Sequence, residues 1–194
     1  MSRIEYDVLF VGGGVASLSA AHRLVDLALN KNTPLRIAVL EKGKEFGAHV
    51  LSGAVANPRS IKKLFPDYEE NGFPIEGVCS ESYVTVLGVK KAWNVPSLFS
   101  PPEMNKKGYL SLSLSLVVKW MAEKLTEKVK DSEDITVDLY PGFPANEIIH
   151  EGGRVAGVRV DSGGTPESDN CCAKVTVFGD KGFLSQDLIK KYDL

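Results

Sequence analysis

The stretch YDVLFVGGGVAS, residues 6–17, constrains the fold more than any other part of the chain. An apolar run over residues 8–11 ends at three consecutive glycines, and a segment with helical spacing follows over residues 16–29. An uninterrupted apolar run predicts a parallel strand buried on both faces, and the glycines predict a tight turn into a helix. The stretch therefore indicates the strand, turn and helix of an α/β nucleotide-binding fold.

The glycines of this turn have the properties that a pyrophosphate site requires. Gly12 permits the sharp turn, and Gly14, which has no Cβ, lets a pyrophosphate approach the backbone where unpaired amides and the helix dipole favour an anion. Ser17 holds the place of the third glycine of the G-x-G-x-x-G pattern. We expect it to push the helix outward slightly or to hydrogen-bond locally. The alternative is a structural glycine turn in another α/β protein.

A second predicted strand, residues 35–40, ends on an acidic residue. Glu41 lies 41 − 12 = 29 residues after the first glycine, whereas about 20 is usual. A long helix and a polar turn over residues 30–34 account for the difference. A carboxylate at this strand end can accept hydrogen bonds from both ribose hydroxyls of an adenosine, so the two features together predict a dinucleotide.

Composition limits the functional class. The chain has 194 residues, 43% of them hydrophobic, which is ordinary for one soluble globular domain, and its net charge of −2 argues against a nucleic-acid binder. No apolar run approaches the roughly 20 residues that cross a bilayer, and the first strand begins almost at Met1 without a leader. We therefore expect no transmembrane segment and a cytoplasmic protein, or an already processed one.

The candidate metal-binding and catalytic side chains are few. Cys79, Cys171 and Cys172 have no C-x-x-C spacing, so we expect reduced thiols, no metal site and no iron–sulfur cluster in this chain. No nucleophile–base pair emerges from spacing. His49 is suited to proton transfer near neutral pH, and a hydrogen-bonding or packing role is its alternative.

The rest of the chain predicts an α/β domain of three to five mostly parallel strands with an antiparallel insertion at about residues 76–104. Trp93 and Phe99, in this insertion, are expected to pack in a core or to line a substrate face. The predicted elements are a helix at 58–65, antiparallel strands within 82–95, a helix at 114–129, a strand at 135–139, a hairpin over 147–160, a strand at 174–178 and a short helix at 185–191.

Five segments, in order, resemble the family of electron transfer flavoprotein-ubiquinone oxidoreductases. They are YDVLFVGGGVASLSAA, VLEKGKEFGAHVLSGAV, PPEMN, LYPGFPANEI and AKVTVFGDKGFLSQDLIKKYDL. The resemblance covers only the N-terminal part of that family. It implies a Rossmann-like fold of the glutathione-reductase type, FAD as cofactor, and a single incomplete FAD-binding domain over residues 1–194.

The resemblance also implies a set of cofactor-binding residues. Those assigned to the pyrophosphate are Gly12, Gly13, Gly14, Val15, Ala16 and Ser17. Those assigned to the adenosine ribose are Glu41 with its neighbour Lys42, and Ala145 lies near the adenine. Those assigned to the flavin side are Ala48, His49, Ser52 and Gly53. After the last strand, Gly179 and Asp180 replace the Ala-Glu-Gly of the family.

In that family, electrons pass from a reduced electron-transferring flavoprotein to ubiquinone through FAD and a four-iron cluster. The quinone site, the late strand and turn over the flavin and the cysteine-rich domain are not in this chain. The resemblance therefore implies that flavoprotein and quinone are reached through a missing C-terminal part or a partner chain, peripheral to the inner membrane.

Three functions remain open at this point. The chain is the FAD-binding part of a flavin oxidoreductase, a dinucleotide-binding module without turnover, or a degenerate relative kept for protein interaction. A domain that ends after its fourth or fifth strand is expected to leave apolar surface uncovered, which favours self-association or a partner.

Overall fold

The computed structural model describes residues 3–51, 53–96, 99–161 and 168–179, together with residues 186, 190 and 191. The chain divides into two units: Met1–Leu51 with Ser115–Leu194, which we call the sheet unit, and Ser52–Leu114, which we call the inserted unit. The predicted helix at 185–191 lies largely outside the described residues, as do Ser52 and Asp180.

Strands outnumber helices among the described elements. The strands are β1 Arg3–Val11, β2 Leu35–Glu41, β3 Ala54–Ala56, β4 Gly77–Val78, β5 Val84–Leu87, β6 Ala92–Val95, β7 Leu110–Leu112, β8 Ile135–Pro141, β9 Ala145–Glu151, β10 Arg154–Asp161 and β11 Ser168–Phe178. The helices are α1 Val15–Lys31, α2 Pro58–Leu64 and α3 Leu114–Val129.

The sheet unit is built on one six-stranded sheet with the order β8-β2-β1-β11-β10-β9. The first four strands in this order are parallel, and β10 and β9 continue the sheet antiparallel. The predicted burial of β1 and β2 is confirmed: Leu9 and Phe10, and all four residues from Ile37 to Leu40, are at most 1% exposed. Apolar runs covered on both faces are typical of parallel strands.

Strand β11 begins earlier than the sequence pattern predicts. Its first part, up to Cys172, pairs with β10 on one side and β1 on the other, and its last part continues along β1. The prediction started this strand at Lys174 because Ser168, Asp169 and Asn170 are typical of a loop. Pairing with two strands outweighs that weak local preference.

The two helices of the sheet unit have the predicted amphipathic pattern. In α1, the buried side chains include Leu18, Ala21 and Val25, and in α3 they include Val118 and Leu125. Helix α1 ends at Asn32, which has left-handed backbone angles (φ 48, ψ 47). Apolar faces of this kind are the expected contact of a helix with the core.

A buried histidine connects the two helices. His22 of α1 is fully buried, and its Nε2 donates a hydrogen bond to the Met121 carbonyl oxygen of α3 at 2.9 Å. Burial lowers the pKa of His22 to about 4, because the charged imidazolium would lose its hydration.

We expect acid to destabilise the chain through this residue. In the unfolded chain His22 takes up a proton below its ordinary pKa of 6.5, whereas in the folded chain it stays neutral down to about 4. Stability is therefore unaffected above pH 6.5 and falls by up to about 3 kcal/mol as the pH is lowered to 4. Melting temperatures between pH 7.5 and 4.5 measure this loss. His22→Gln keeps an N–H donor that does not titrate, so its melting temperature should fall less with decreasing pH. If the melting temperatures of the two proteins fell in parallel, His22 would not be the cause of the acid destabilisation.

The inserted unit contains two small antiparallel sheets. Strands β3, β7 and β4 form one in that order, and β5 and β6 form a hairpin. Gly88 donates to the Lys91 carbonyl oxygen at 2.8 Å, which closes the hairpin turn. The predicted antiparallel strands within residues 82–95 are thereby confirmed.

Much of the apolar surface of this unit is exposed. Leu87 is 78% exposed, Val86 54% and Trp93 56%. Phe99 is 75% exposed, so the expectation that Trp93 and Phe99 pack in a core is wrong. The sequence pattern alone did not distinguish a covered strand from an uncovered hairpin.

In the part of the chain described here, no helix is both long and apolar enough to span a membrane.

Candidate dinucleotide-binding site

The candidate site lies where β1, β2 and β8 end. Gly12 follows β1 and has φ 101, a left-handed conformation that favours glycine. Its amide donates to the Leu40 carbonyl oxygen of β2 at 2.9 Å, so the turn is fixed to the neighbouring strand. The carboxyl ends of parallel strands are where open α/β sheets bind their ligands.

The next two glycines have opposite surroundings. A Cβ on Gly13 would lie 2.8 Å from Phe46 Cδ1 and 3.0 Å from Glu41 Cβ, so no side chain fits there. A Cβ on Gly14 would have no described atom within 4 Å. The backbone is thus packed at Gly13 and open at Gly14. The open side gives a pyrophosphate the close approach to the backbone that it requires.

Gly14 is also the N-cap of α1. Gly14 supplies no side-chain capping bond, and no acidic residue lies in the first turn. The first amides of a helix have no partner within the helix, and the helix dipole gives this end a partial positive charge. The N-terminus of α1 therefore combines a partial positive charge with an unobstructed backbone at Gly14, and both favour a bound phosphate group.

The Glu41 carboxylate lies at the end of β2, beside the turn. Its Oε2 accepts a hydrogen bond from the Gly13 amide at 3.0 Å, and its Oε1 accepts one from the Gly43 amide at 2.7 Å. His49 Nδ1 is 3.9 Å from the same Oε1. Each carboxylate oxygen can accept a further hydrogen bond, so a side chain held on two sides still has capacity for ribose hydroxyls.

Two hydrogen bonds connect the loop after β2 to the loop after β8. The Gly142 amide donates to the Gly43 carbonyl oxygen at 2.7 Å, and the Phe143 amide donates to the Glu41 carbonyl oxygen at 3.0 Å. The Phe143 ring meets the Tyr140 ring edge-on, with centroids 5.5 Å apart. Ala145 begins β9 directly after this loop.

The remaining predicted site residues differ in their exposure and surroundings. Val15 and Ala16 are exposed in the first turn of α1, whereas Ser17 is buried. Lys42, Ala48 and His49 are exposed in the loop after β2. Gly53 belongs to the inserted unit, and its φ is 91 with no described atom within 4 Å of an added Cβ.

Sequence reasoning missed several residues that shape this site. Phe46 packs against Gly13, Gly43 binds Glu41, and Gly179 lies beside Ser17. The glycines were visible as turn signals, but the Glu41 contact of Gly43 is local, and only the Ser17 contact of Gly179 joins residues distant in sequence. Nothing in the pattern around Phe46 indicated a contact with the turn.

Cys79, Cys171 and Cys172 do not form a disulfide. Cys171 and Cys172 are buried in β11, and burial raises the pKa of Cys172. Cys79 Sγ donates to the Glu81 carbonyl oxygen at 3.2 Å. Within the described ranges, no three His, Cys, Asp or Glu side chains are grouped so that they could hold a metal ion.

Solved structures share this fold. A geranylgeranyl bacteriochlorophyll reductase-like protein from Thermoplasma acidophilum matches 95% of this chain with a TM-score of 0.67 and 21% identity, over 41% of its own length. The flavin-dependent monooxygenase PieE, solved with FAD and substrate, matches 97% of the chain with a TM-score of 0.63 and 15% identity, over 32% of its length. These likenesses confirm the predicted Rossmann-like fold with its parallel sheet.

No protein-family model matches the chain. Individual relatives do: electron transfer flavoprotein-ubiquinone oxidoreductase of Pseudomonas aeruginosa is 38% identical over 206 aligned residues, which cover 98% of this chain and 36% of that protein. The mitochondrial protein of the same name from Mus musculus is 38% identical over 203 residues, 98% of this chain and 32% of its own length. The chain spans about a third of the length of these curated relatives. It is therefore a relative of the electron transfer flavoprotein-ubiquinone oxidoreductases that matches their N-terminal part.

Proposed function

We propose that the chain is the FAD-binding part of a flavin oxidoreductase. The observation that carries this proposal is the combination of an open backbone at Gly14 with the Glu41 carboxylate anchored at the end of the next strand. A pyrophosphate at Gly14 and a ribose at Glu41 would lie at the ends of two neighbouring strands, as an adenosine dinucleotide requires. The similar fold of PieE, which was solved with FAD, supports FAD over other dinucleotides.

The protein side of this function is binding and orientation. The amides of Val15 and Ala16 would donate to the pyrophosphate, Glu41 would accept from the ribose, and the loop containing Ala48 and His49 would lie toward the flavin. Bound FAD supplies the electron-transfer chemistry, and the protein adjusts its environment. No acid–base step by a side chain is needed for electron transfer of this kind.

The electron partners follow from the names of the relatives. We propose a reduced electron-transferring flavoprotein as donor and a quinone as acceptor, both reached through a further stretch of polypeptide or a partner chain at the inner membrane surface. Iron–sulfur chemistry, where it takes part, would also lie outside this chain, because its three cysteines lack the spacing for a cluster.

The primary test is an absorbance spectrum of the purified chain before and after addition of FAD, followed by gel filtration. A flavin band that remains with the protein and bleaches with a reduced electron-transferring flavoprotein supports the proposal. A band that remains but is not reduced favours the module without turnover. A folded chain without flavin would overturn FAD binding by this chain alone.

Glu41→Gln is expected to lower FAD affinity about tenfold, because the amide replaces one acceptor oxygen by a donor and removes a charge-assisted bond to the ribose. The matched control is Glu45→Gln, an equal change of charge at a side chain that is 67% exposed and 3.7 Å from Lys119. Fluorescence titration with FAD measures both. Equal affinities for the two variants would remove Glu41 from the ribose site.

The exposed β5–β6 hairpin favours protein interaction as a second candidate function, here as self-association. Leu87 and Val89 are 78% and 102% exposed, respectively, and large exposed apolar patches mark interaction sites. Light scattering of the wild-type chain and of Leu87→Ser tests this. A monomer in both cases would exclude self-association through the hairpin.

A further inference from the structure

The Ser17 hydroxyl is buried against the end of β11. Ser17 is 3% exposed, and its Oγ makes no hydrogen bond within the part of the chain that the structure describes. A Cβ on Gly179 would overlap this Oγ, and it would lie 3.5 Å from Ser17 Cβ and 3.7 Å from the Gly12 carbonyl oxygen. The hydroxyl therefore occupies space that only a glycine at position 179 leaves free.

Both backbones at this contact are held in place. The Gly179 amide donates to the Val11 carbonyl oxygen at 2.9 Å, which continues the hydrogen bonding between the two chain segments one residue beyond the end of β11. The Leu18 amide donates to the Gly14 carbonyl oxygen at 3.0 Å, which starts the hydrogen bonding of α1 beside Ser17. A side chain at 179 would have to displace the serine hydroxyl or break one of these bonds.

We propose that Ser17 and Gly179 are a positioning pair for the dinucleotide: Gly179 supplies, from the neighbouring strand, the space that the third glycine of the turn would otherwise provide. This inference rests on the proposed FAD binding. The third glycine allows α1 to pack closely at its first turn. With serine at this place, the N-terminus of α1 keeps its position because the residue across from it has no side chain.

The pair can be tested by a double-mutant cycle. Gly179→Ala is expected to lower FAD affinity about tenfold, because the new methyl group pushes Ser17 and with it the amides of the first turn away from the phosphates. In the Ser17→Ala background the hydroxyl is gone, and the two Cβ atoms would be in ordinary contact at 3.5 Å. In that background Gly179→Ala should lower FAD affinity less than about twofold. The difference between the two backgrounds is a coupling of the size found between contacting residues.

Ser17→Ala alone supplies the reference FAD affinity against which the double variant is compared. It should raise the melting temperature of the chain without FAD by about 3 °C, because a buried hydroxyl without a partner is removed. Gly77→Ala is the control and should show no coupling with Ser17→Ala. Gly77 lies in the inserted unit, and a Cβ added there has no described atom within 4 Å.

The cycle is measured twice, by fluorescence titration with FAD and by melting without FAD. Rescue of FAD affinity by Ser17→Ala supports the pair. An equal loss from Gly179→Ala in both backgrounds, or no loss in either, would overturn it. If the wild-type chain binds no FAD, the proposed function fails and the positioning role fails with it. Coupling that persists in the melting temperatures would then show a contact that serves the fold alone.

Discussion

Gly14→Val is expected to abolish the retention of FAD while leaving the fold intact. Gly14 has extended backbone angles (φ −79, ψ 177) that any residue can adopt, and an added Cβ meets no described atom within 4 Å. The loss of the glycine N-cap costs about 1 kcal/mol or less. The isopropyl group would instead fill the space through which the pyrophosphate reaches the backbone, and we expect affinity to fall at least about 100-fold.

Titration calorimetry with FAD measures this loss, and a melting curve without FAD checks the fold. Gly14→Ala should give an intermediate affinity. Gly77→Val is the matched control, because it places the same side chain at another open glycine. If Gly14→Val bound FAD as the wild-type chain does, the pyrophosphate could not lie at this turn.

Gly157→Ala is expected to be the most damaging small substitution for stability. Gly157 lies in β10 at a register shift against β9 and has φ 151. A Cβ there would overlap the Cys171 carbonyl oxygen and lie 2.7 Å from Cys172 Cα, and both are backbone atoms of the paired strand. Strand pairing fixes these atoms, so the backbone strain and the steric overlap add. We expect the free energy of unfolding to fall by at least about 3 kcal/mol.

Gly153→Ala separates the two contributions. Gly153, in the turn between β9 and β10, also has a positive φ of 80, but an added Cβ there meets no described atom within 4 Å. It should cost only the backbone strain of about 1–2 kcal/mol. Urea denaturation of both variants gives the comparison. Equal losses would mean that the overlap with β11 is relieved by a shift of the strands.

Local sequence patterns predicted the elements whose burial follows a simple period. The strand before the glycine turn, helix α1 and helix α3 all have apolar positions at regular spacing, and the structure confirms each. The start of β11 and the exposure of Trp93 were not predictable in this way. In both cases the outcome depends on which other strand covers the residue, and a local pattern contains no such information.

The candidate site also contains features that a local sequence pattern predicts and features that depend on strand pairing. The strand-end position of Glu41 could be read from the sequence, because a strand pattern stops there. Its hydrogen bond from the Gly13 amide could not, since that bond depends on the parallel pairing of β1 with β2. Ser17 and Gly179 are 179 − 17 = 162 positions apart, and only the pairing of β1 with β11 brings them together.

The two hydrogen bonds between the loops after β2 and β8 have a consequence for how such a site can evolve. Gly43 and Glu41 offer their carbonyl oxygens to Gly142 and Phe143, so an insertion in either loop breaks contacts in the other. If the site binds a dinucleotide as proposed, changes that affect the ribose contact at Glu41 and changes near the adenine are inherited together. A lineage that exchanges one nucleotide for another would have to change both loops together, whereas the glycine turn could stay as it is.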